Sequence, residues 1–329
     1  MYRKPKARAA ALITTIMIIG VQSLLPHQEP QYLALITDIT GEVLAKKAQR
    51  AGFEKALWGM QLYEGDKIKT LESSEVSLLF SNNNFITLGP NSTLTISKGP
   101  TSLKNSPELI RNAGTELFAD FSNLTLRRTR EGEIGALAGL RLGGPELVIE
   151  LLSPRDTKIK TTRPSFMWSS KKEFDKFKVK LFDSSGLVWA RETSVTRLDY
   201  PEDETPLAYG KSYFWQVESE GHLESFKSPS VGFNILSEEE LQQVASEEKR
   251  VQDMFKDDLN SSNYHSLLGA YYGKLGLREE AIAKFEMIAK LHAEAPLPHE
   301  ILGKLYSDIG LKDKAIAELQ KALELSQKE

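Results

Sequence analysis

Apolar and polar residues alternate along the first two thirds of the chain with the period of two that is typical of half-buried β-strands. The pattern is clearest at Val76, Leu78 and Phe80, and a second apolar run covers residues 85–88. Three asparagines at 82–84 separate these runs, and asparagine tolerates left-handed backbone angles better than other non-glycine residues. We therefore predict a β-hairpin whose tip lies at residues 82–84.

A second region of strand-like alternation covers residues 151–236. Phe177, Val179 and Leu181 alternate with lysines, and other short apolar runs follow at the spacing of a sandwich. Leu207, Gly210 and Tyr213 have the spacing of a tyrosine corner, in which a tyrosine hydroxyl bonds to nearby backbone. This region resembles a fibronectin type III-like β-sandwich, which implies a spacer or adhesion module.

The hydrophobic period changes from two to the helical value at residue 237. Ser237 and Glu240 form a capping-box pattern, and apolar residues then recur at helical spacing to about residue 258. The predicted fold is therefore multidomain, mainly β in the N-terminal two thirds and all-α in a helical-repeat C-terminus. We place the domains at 32–98, 151–236 and 237–329, with extension strands and a glycine-rich connector at 99–150.

The C-terminal region contains an internal repeat of 34 residues. The repeated positions are Leu268, Gly269, Tyr272, Gly276, Ala281 and Phe285, which recur as Leu302, Gly303, Tyr306, Gly310, Ala315 and Leu319. The pattern resembles tetratricopeptide repeats, which hold peptides or proteins on a concave helix face. On the repeat numbering, that face would carry Asn263, Ser266, Glu300 and Lys304. The resemblance implies either an envelope protein partner or self-association, and two repeats need the preceding helix or a partner as a cap.

The first β region carries a second resemblance. Its motifs are Gly41-Glu42-Val43, Trp58, Leu62, the run Gly65 to Thr70, Val76, Phe80 and the run Leu88 to Ser92. In order and spacing they are similar to the FecR family of extracytoplasmic β domains, although asparagines 82–84 stand where that family usually has Asp-Gly-Ser. The resemblance implies a binding domain for a cell-wall or membrane-sensor ligand. Candidate ligand-binding residues are Asp66, Thr70 and Asn83. A turn stabilised by an Asx-type hydrogen bond is the alternative role for Gly65, Asp66 and Thr70.

The N-terminus has the character of an export signal. Basic residues precede a nearly unbroken apolar run at 9–25, and no acidic residue occurs before Glu29. Residues 1–25 are thus predicted to be either a cleaved signal peptide or a single-pass anchor. Either alternative exports the remaining chain to the periplasm, free or tethered to the inner membrane. Only eight residues precede the apolar run, too few for the sigma-factor-binding segment of the founding FecR regulator.

Composition and motifs argue against several other functions. The net charge is -3, and the sequence shows no basic cluster of the kind that binds nucleic acid. Cysteine is absent. The histidines lack zinc spacing, no phosphate-binding or nucleophile motif occurs, and the acidic run at 202–204 lacks the spacing of a calcium loop. The carboxylate pair Asp257 and Asp258 is interpreted as solvated. We therefore predict no enzyme activity, cofactor or metal.

These observations predict a non-enzymatic bacterial envelope protein with binding and scaffold roles. The FecR-like domain would bind an envelope ligand, and the tetratricopeptide tail would recruit a protein partner. One alternative is a membrane-anchored signal-transduction accessory whose outer domains report a ligand to a sensor. Another is a hydrolase that carries none of the known motifs.

Overall fold

The computed structural model describes residues 32–98, 147–220 and 225–327, with two short strands at 103–104 and 109–112. The predicted signal or anchor at 1–25 and the predicted glycine-rich connector lie outside these residues. Among the described helices, none is both long and apolar enough to cross a membrane.

Two antiparallel sheets form the N-terminal β module, which we define as residues 32–98 with the two short strands that follow. The first sheet has the order β10-β7-β6-β1-β4, formed by Leu109–Asn112, Asn84–Leu88, Glu75–Phe80, Ala34–Thr40 and Gln61–Leu62. The second has the order β3-β2-β5-β8-β9, formed by Glu54–Lys55, Val43–Lys46, Lys67–Thr70, Thr93–Thr95 and Leu103–Lys104. One core cluster draws on both sheets and includes Ile36, Ile68 and Leu78.

The first sheet is buried on both faces, which the sequence pattern did not predict. The hairpin of β6 and β7 is confirmed, and Asn83 at its tip has a φ of 63°. Val76 and Leu78 lie in the module core, as expected. On the opposite face, Leu79 and Phe85 belong to a separate apolar cluster that they share with the C-terminal helices.

The second β region is a sandwich of two sheets over residues 149–235. One sheet has the order β11-β13-β16, formed by Ile149–Ser153, Ser165–Ser170 and Arg197–Asp199. The other has the order β12-β19-β17-β14-β15, formed by Thr157–Ile159, Val231–Ile235, Ser212–Glu220, Phe177–Asp183 and Gly186–Thr193, with β18 at Ser225–Lys227 pairing with β17. Aromatic rings fill the core, where Phe166 meets Trp215 edge to face.

The tyrosine corner predicted from Leu207, Gly210 and Tyr213 is confirmed. The backbone N–H of Ala208 donates to the Tyr213 hydroxyl at 3.0 Å. The Tyr213 ring also stacks on Phe233 with a centroid distance of 5.7 Å. The hydrogen bond between Ala208 and Tyr213 fixes the chain where it enters β17.

Five α-helices follow the sandwich: α1 Glu238–Met254, α2 Ser262–Leu275, α3 Arg278–Leu291, α4 Pro296–Asp308 and α5 Lys312–Ser326. Both hydrogen bonds of the predicted capping box form: the Ser237 side chain accepts from the Glu240 N–H, and the Glu240 side chain accepts from the Ser237 N–H. Helix α1 ends at Met254, before the predicted residue 258. The repeated glycines permit close helix crossing, since a Cβ on Gly269 would lie 2.9 Å from Phe285. A Cβ on Gly303 would lie 2.4 Å from Leu319, the equivalent residue of the second pair.

The helix pairs contact both β regions, through opposite ends of their helices. The β module meets the turn before α2 and the first turn of α4, where a Cβ on Gly59 would lie 2.4 Å from Leu297. The sandwich meets the turns that follow α2 and α4. There the Lys158 N–H donates to the Gly276 carbonyl at 2.8 Å, and Arg155 donates to the carbonyls of Ile309 and Gly310. The helices therefore bridge the two β regions.

Candidate functional site

Asp66 and Thr70, two of the predicted ligand-binding residues, serve the interior of the β module. Asp66 is 1% exposed, and its carboxylate accepts from the N–H groups of Tyr63 and Ala48 at 3.0 and 2.9 Å. Thr70 is completely buried, and its hydroxyl donates to the Gly89 carbonyl at 2.6 Å. Both side chains therefore stabilise loops, and neither is accessible to a ligand.

Asn83, the third predicted ligand residue, lies at the hairpin tip and has a structural role there. Its N–H donates to the Phe80 carbonyl at 2.8 Å, which closes the turn. Its positive φ accounts for the asparagine. Asp66 and Asn83 thus lie in separate turns and Thr70 at the end of β5, and the three residues do not form one pocket.

The four residues predicted for the tetratricopeptide face fall into two groups. On α2, Asn263 is 8% exposed and Ser266 is completely buried, because the β module packs on this helix. On α4, Glu300 is partly exposed and Lys304 is exposed. In this conformation, Ser266 cannot contact a partner, and only the second repeat presents predicted residues at the surface.

A cleft of about 300 Å³ lies where the β module meets the helices, and we call it the junction cleft. The first sheet forms one wall, and the segment from the end of α1 to the start of α2 forms the other. Its lining residues are Asp38, Glu75, Ser77, Phe85, Thr87, Gly89, Phe255, Asp258, Ser261 and Asn263. Residues far apart in the sequence thus converge on one concave surface, which is the usual shape of a ligand site.

Asp38 lies in β1 where the register of pairing with β6 shifts. Its Oδ1 accepts from the Ile39 N–H at 2.9 Å. Burial raises the pKa of the Asp38 carboxyl to about 6. The nearby Asp258 also raises this pKa, while hydrogen bonds from the backbone of Ile39, Asn263 and Ser262 lower it.

The turn before α2 places Asp258 and Ser261 at the other wall. The Asp258 carboxylate accepts from the Asn260 N–H at 3.1 Å, and Ser261 accepts from the Tyr264 N–H as the N-cap of α2. Ser77 on β6 and Thr87 on β7 add two hydroxyls, whose oxygens are 3.1 Å apart. The cleft therefore presents carboxylate and hydroxyl oxygens from both walls.

Two aromatic rings give the cleft an apolar side. Phe85 and Phe255 meet edge to face, with centroids 6.2 Å apart and an interplanar angle of 85°. One ring comes from β7 and the other from the C-cap of α1. This contact joins the β module to the helices at the cleft itself.

Asn263 supplies an unused hydrogen-bond acceptor. Its Oδ1 atom is buried and has no hydrogen-bond partner, although the residue lines the cleft. Buried polar atoms are almost always paired, because an unpaired one costs free energy. A molecule bound in the cleft can satisfy this acceptor if the Asn263 side chain rotates toward it.

His292 lies next to the cleft, at the C-cap of α3. Its Nε2 is 2.5 Å from the Ser262 hydroxyl and 3.9 Å from Asp38 Oδ1. The ring stacks on Trp58 at a centroid distance of 6.2 Å. Burial lowers the pKa of His292 to about 4, so the imidazole is neutral at pH 7.

The chemistry of the cleft favours binding through acceptors. Among the described residues, no group of three or more His, Cys, Asp or Glu side chains could hold a metal ion. The described lining includes three carboxylates and no lysine or arginine. Asp258, interpreted as solvated, is exposed at the edge of the cleft. Sequence reasoning missed Asp38 and Glu75, because no local pattern shows that distant segments meet.

Comparisons with known proteins leave the family open. No protein-family model matches the chain, and the search of curated proteins found no match. Among solved structures, the chain is similar to the FN1-FN3 domains of chicken CNTN1, with 11% sequence identity, a TM-score of 0.20, and coverage of 64% of this chain and 63% of that chain. The observed class is a β-rich N-terminal two thirds with several sheets, followed by an α-helical region.

Proposed function

We propose that the chain is a non-enzymatic binding and scaffold protein of the bacterial envelope. The β module binds a ligand in the junction cleft, and the helical region recruits a protein partner. The observation that carries the proposal is that both modules line the cleft. A ligand there would contact the β module and the first helix pair at once.

Specific features support the two family resemblances within this proposal. The FecR-like assignment is supported by the hairpin at Asn83 and by the turn at Gly65, whose φ is 85°. The tetratricopeptide-like assignment is supported by two helix pairs and by the close contacts at Gly269 and Gly303. The helix α1 covers the first pair, with Val244 and Val251 in the shared apolar cluster.

The partner surface of this proposal lies on the second helix pair, around Glu300 and Lys304. The corresponding surface of the first pair is covered by the β module, so only α4 offers these positions to another protein. The fibronectin type III-like sandwich would act as a spacer. Its contacts with the turns at Gly276 and Gly310 would hold the helices in a fixed orientation.

A charge reversal tests the partner surface. Full-length protein, Lys304→Glu and the control Lys312→Glu would each be used to capture proteins from an envelope fraction, with identification by mass spectrometry. Lys312 is exposed at the start of α5 and is not one of the predicted face positions. We expect the same protein to be retained by the wild type and the control and lost by Lys304→Glu. Equal retention by all three would contradict the assigned surface.

Export to the periplasm is the localisation proposed here. It is supported by the basic head and the apolar run at 9–25. N-terminal sequencing of the mature protein tests it, since a start at Leu24 indicates a free periplasmic protein. An intact Met1 in the membrane fraction would instead favour the anchored signal-transduction accessory, and an intact Met1 in the cytosol would contradict export.

A further inference from the structure

We propose that the junction cleft binds an organic cation, namely a protonated amine or guanidinium group on a short apolar stem. The inference rests on the proposed function, because it names the ligand class of the same cleft.

The charge of the cleft favours a cation. Asp38, Glu75 and Asp258 contribute three carboxylates, and the described lining contains no lysine or arginine to balance them. The start of α2 brings a partial positive charge of about half an elementary charge. Asp38 offsets this partial positive charge, because its carboxylate accepts hydrogen bonds from the backbone of Ser262 and Asn263. The remaining carboxylates, Glu75 and Asp258, are exposed at the cleft and can face a bound cation.

The hydrogen-bonding groups favour a ligand rich in donors. The Asn263 residue lines the cleft, and its Oδ1 atom is buried and unpaired. An ammonium group has three N–H donors and a guanidinium group has five, and neither has an acceptor. Such a group can donate to the carboxylates and, once the Asn263 side chain rotates toward the cleft, to its amide oxygen. An anion or a neutral acceptor would leave Asn263 unsatisfied.

The aromatic side of the cleft can contact the short apolar stem of the proposed ligand. Phe85 and Phe255 offer apolar surface for methylene groups, and a cation near an aromatic face gains further attraction. The volume of about 300 Å³ lies at the lower end of the range for small-molecule sites. The cleft can therefore accept a small amine or one lysine or arginine side chain.

The ionisable groups around the cleft predict how binding depends on pH. They are Asp38 on β1, Glu75 on β6, Asp258 before α2 and His292 at the end of α3. Burial places the pKa of Asp38 near 6, so its charge is lost as the pH falls through that value. His292 remains neutral until about pH 4. Cation binding should weaken as the pH falls from 7 to about 5.

Titration calorimetry and NMR titration of the full chain test the ligand class. The probes are n-butylammonium, n-butanol as its neutral counterpart, tetramethylammonium as a cation without N–H donors, and Ca²⁺. We expect n-butylammonium to bind and n-butanol and Ca²⁺ not to bind, with tetramethylammonium at least tenfold weaker than n-butylammonium. A tripeptide with a central lysine and blocked ends, compared with cadaverine, distinguishes a protein side chain from a free amine as the source.

Three variants locate the binding. Asn263→Leu removes the unpaired acceptor and should weaken n-butylammonium binding at least tenfold. Because this variant also removes an unsatisfied buried group, its melting temperature should not fall. Asp258→Asn keeps the side-chain oxygen that accepts from Asn260 and should weaken binding severalfold. The control Asp257→Asn changes an exposed neighbour outside the lining and should bind as the wild type does.

Several results would overturn the inference. They are no binding of n-butylammonium, equal binding of n-butanol, tighter binding of Ca²⁺, or equal binding by Asn263→Leu and the control. If n-butylammonium does not bind but Lys304→Glu still abolishes partner capture, the scaffold function stands and the ligand class is wrong. If amines bind while partner capture is unaffected by Lys304→Glu, the cleft assignment stands and the partner surface is wrong.

Discussion

Asp38 Oδ1 lies 3.9 Å from His292 Nε2, so the first β-strand and the end of α3 meet through two ionisable side chains. Burial raises the pKa of Asp38 from 3.8 to about 6 and lowers that of His292 from 6.5 to about 4. Between these values the folded pair holds one proton, as does an unfolded aspartate with an unfolded histidine. Stability of the wild type should therefore change little with pH through this pair.

Replacing Asp38 with asparagine should create a pH dependence. His292 would then bind a proton less readily in the folded state than in the unfolded state, so the unfolded state holds more protons between about pH 4 and 6.5. The free energy of unfolding of Asp38→Asn should rise with pH across this window. Urea unfolding at several pH values measures it, with Asp257→Asn as the control, and a slope equal to that of the control would contradict the expectation.

Replacing His292 with glutamine should give the opposite slope. Asp38 would keep its raised pKa, so the folded state holds more protons between about pH 4 and 6. The free energy of unfolding of His292→Gln should fall across this window as pH rises, by about 1 to 3 kcal/mol after allowance for partial exposure. The same urea series measures it. Slopes of the same sign in the two variants would contradict the opposite pKa shifts of Asp38 and His292.

Arg155 should stabilise the contact between the sandwich and the helices. Its guanidinium donates to the carbonyls of Leu151 at 3.0 Å and Gly310 at 3.3 Å and to that of Ile309. The Ile309 and Gly310 carbonyls lie just past the end of α4, where backbone carbonyls lack helical partners and a cation is favoured. Arg155→Ala should lower the free energy of unfolding by about 2 kcal/mol. Arg155→Lys keeps the positive charge but loses the several N–H donors of the guanidinium. Its free energy of unfolding should lie between those of Arg155→Ala and the wild type.

Gly303 should tolerate no side chain. A Cβ there would lie 2.4 Å from Leu319, in the interior of the second helix pair. Gly303→Ala should lower the free energy of unfolding by about 1 to 3 kcal/mol, because overpacking forces neighbouring helices apart. Gly52→Ala is the matched control, since no atom lies within 4 Å of a Cβ at that exposed glycine. Thermal unfolding of both variants measures the difference, and equal melting temperatures would contradict the close contact.

The isolated helical region should be less stable than the same region in the full chain. One apolar cluster includes Phe255 and Leu267 of this region together with Leu35, Leu79 and Phe85 of the β module. Residues 237–329 alone would expose the helical side of that cluster. We expect a lower melting temperature by circular dichroism and binding of a hydrophobic dye. A melting temperature equal to that of the full chain, without dye binding, would show that the helices do not need the β module.

The local elements of the described chain were predictable because short-range chemistry fixes them. The hairpin at Asn83, the capping box at Ser237 and the tyrosine corner at Tyr213 each depend on residues within a few positions of one another. The helix pairs follow from a repeat that places Gly269 and Gly303 at equivalent crossings. Such patterns need no knowledge of the rest of the fold.

The sequence by itself determined the β-rich and helical regions, since periodicity, capping and turn chemistry are local. The tertiary structure decided which surfaces remain accessible. The packing of the β module on α2 buried Asn263 and Ser266, and it brought Asp38 beside Asp258 and His292. Burial depends on long-range contacts, and the local pattern of one segment does not indicate which distant segment it contacts. The junction cleft could therefore be found only in three dimensions.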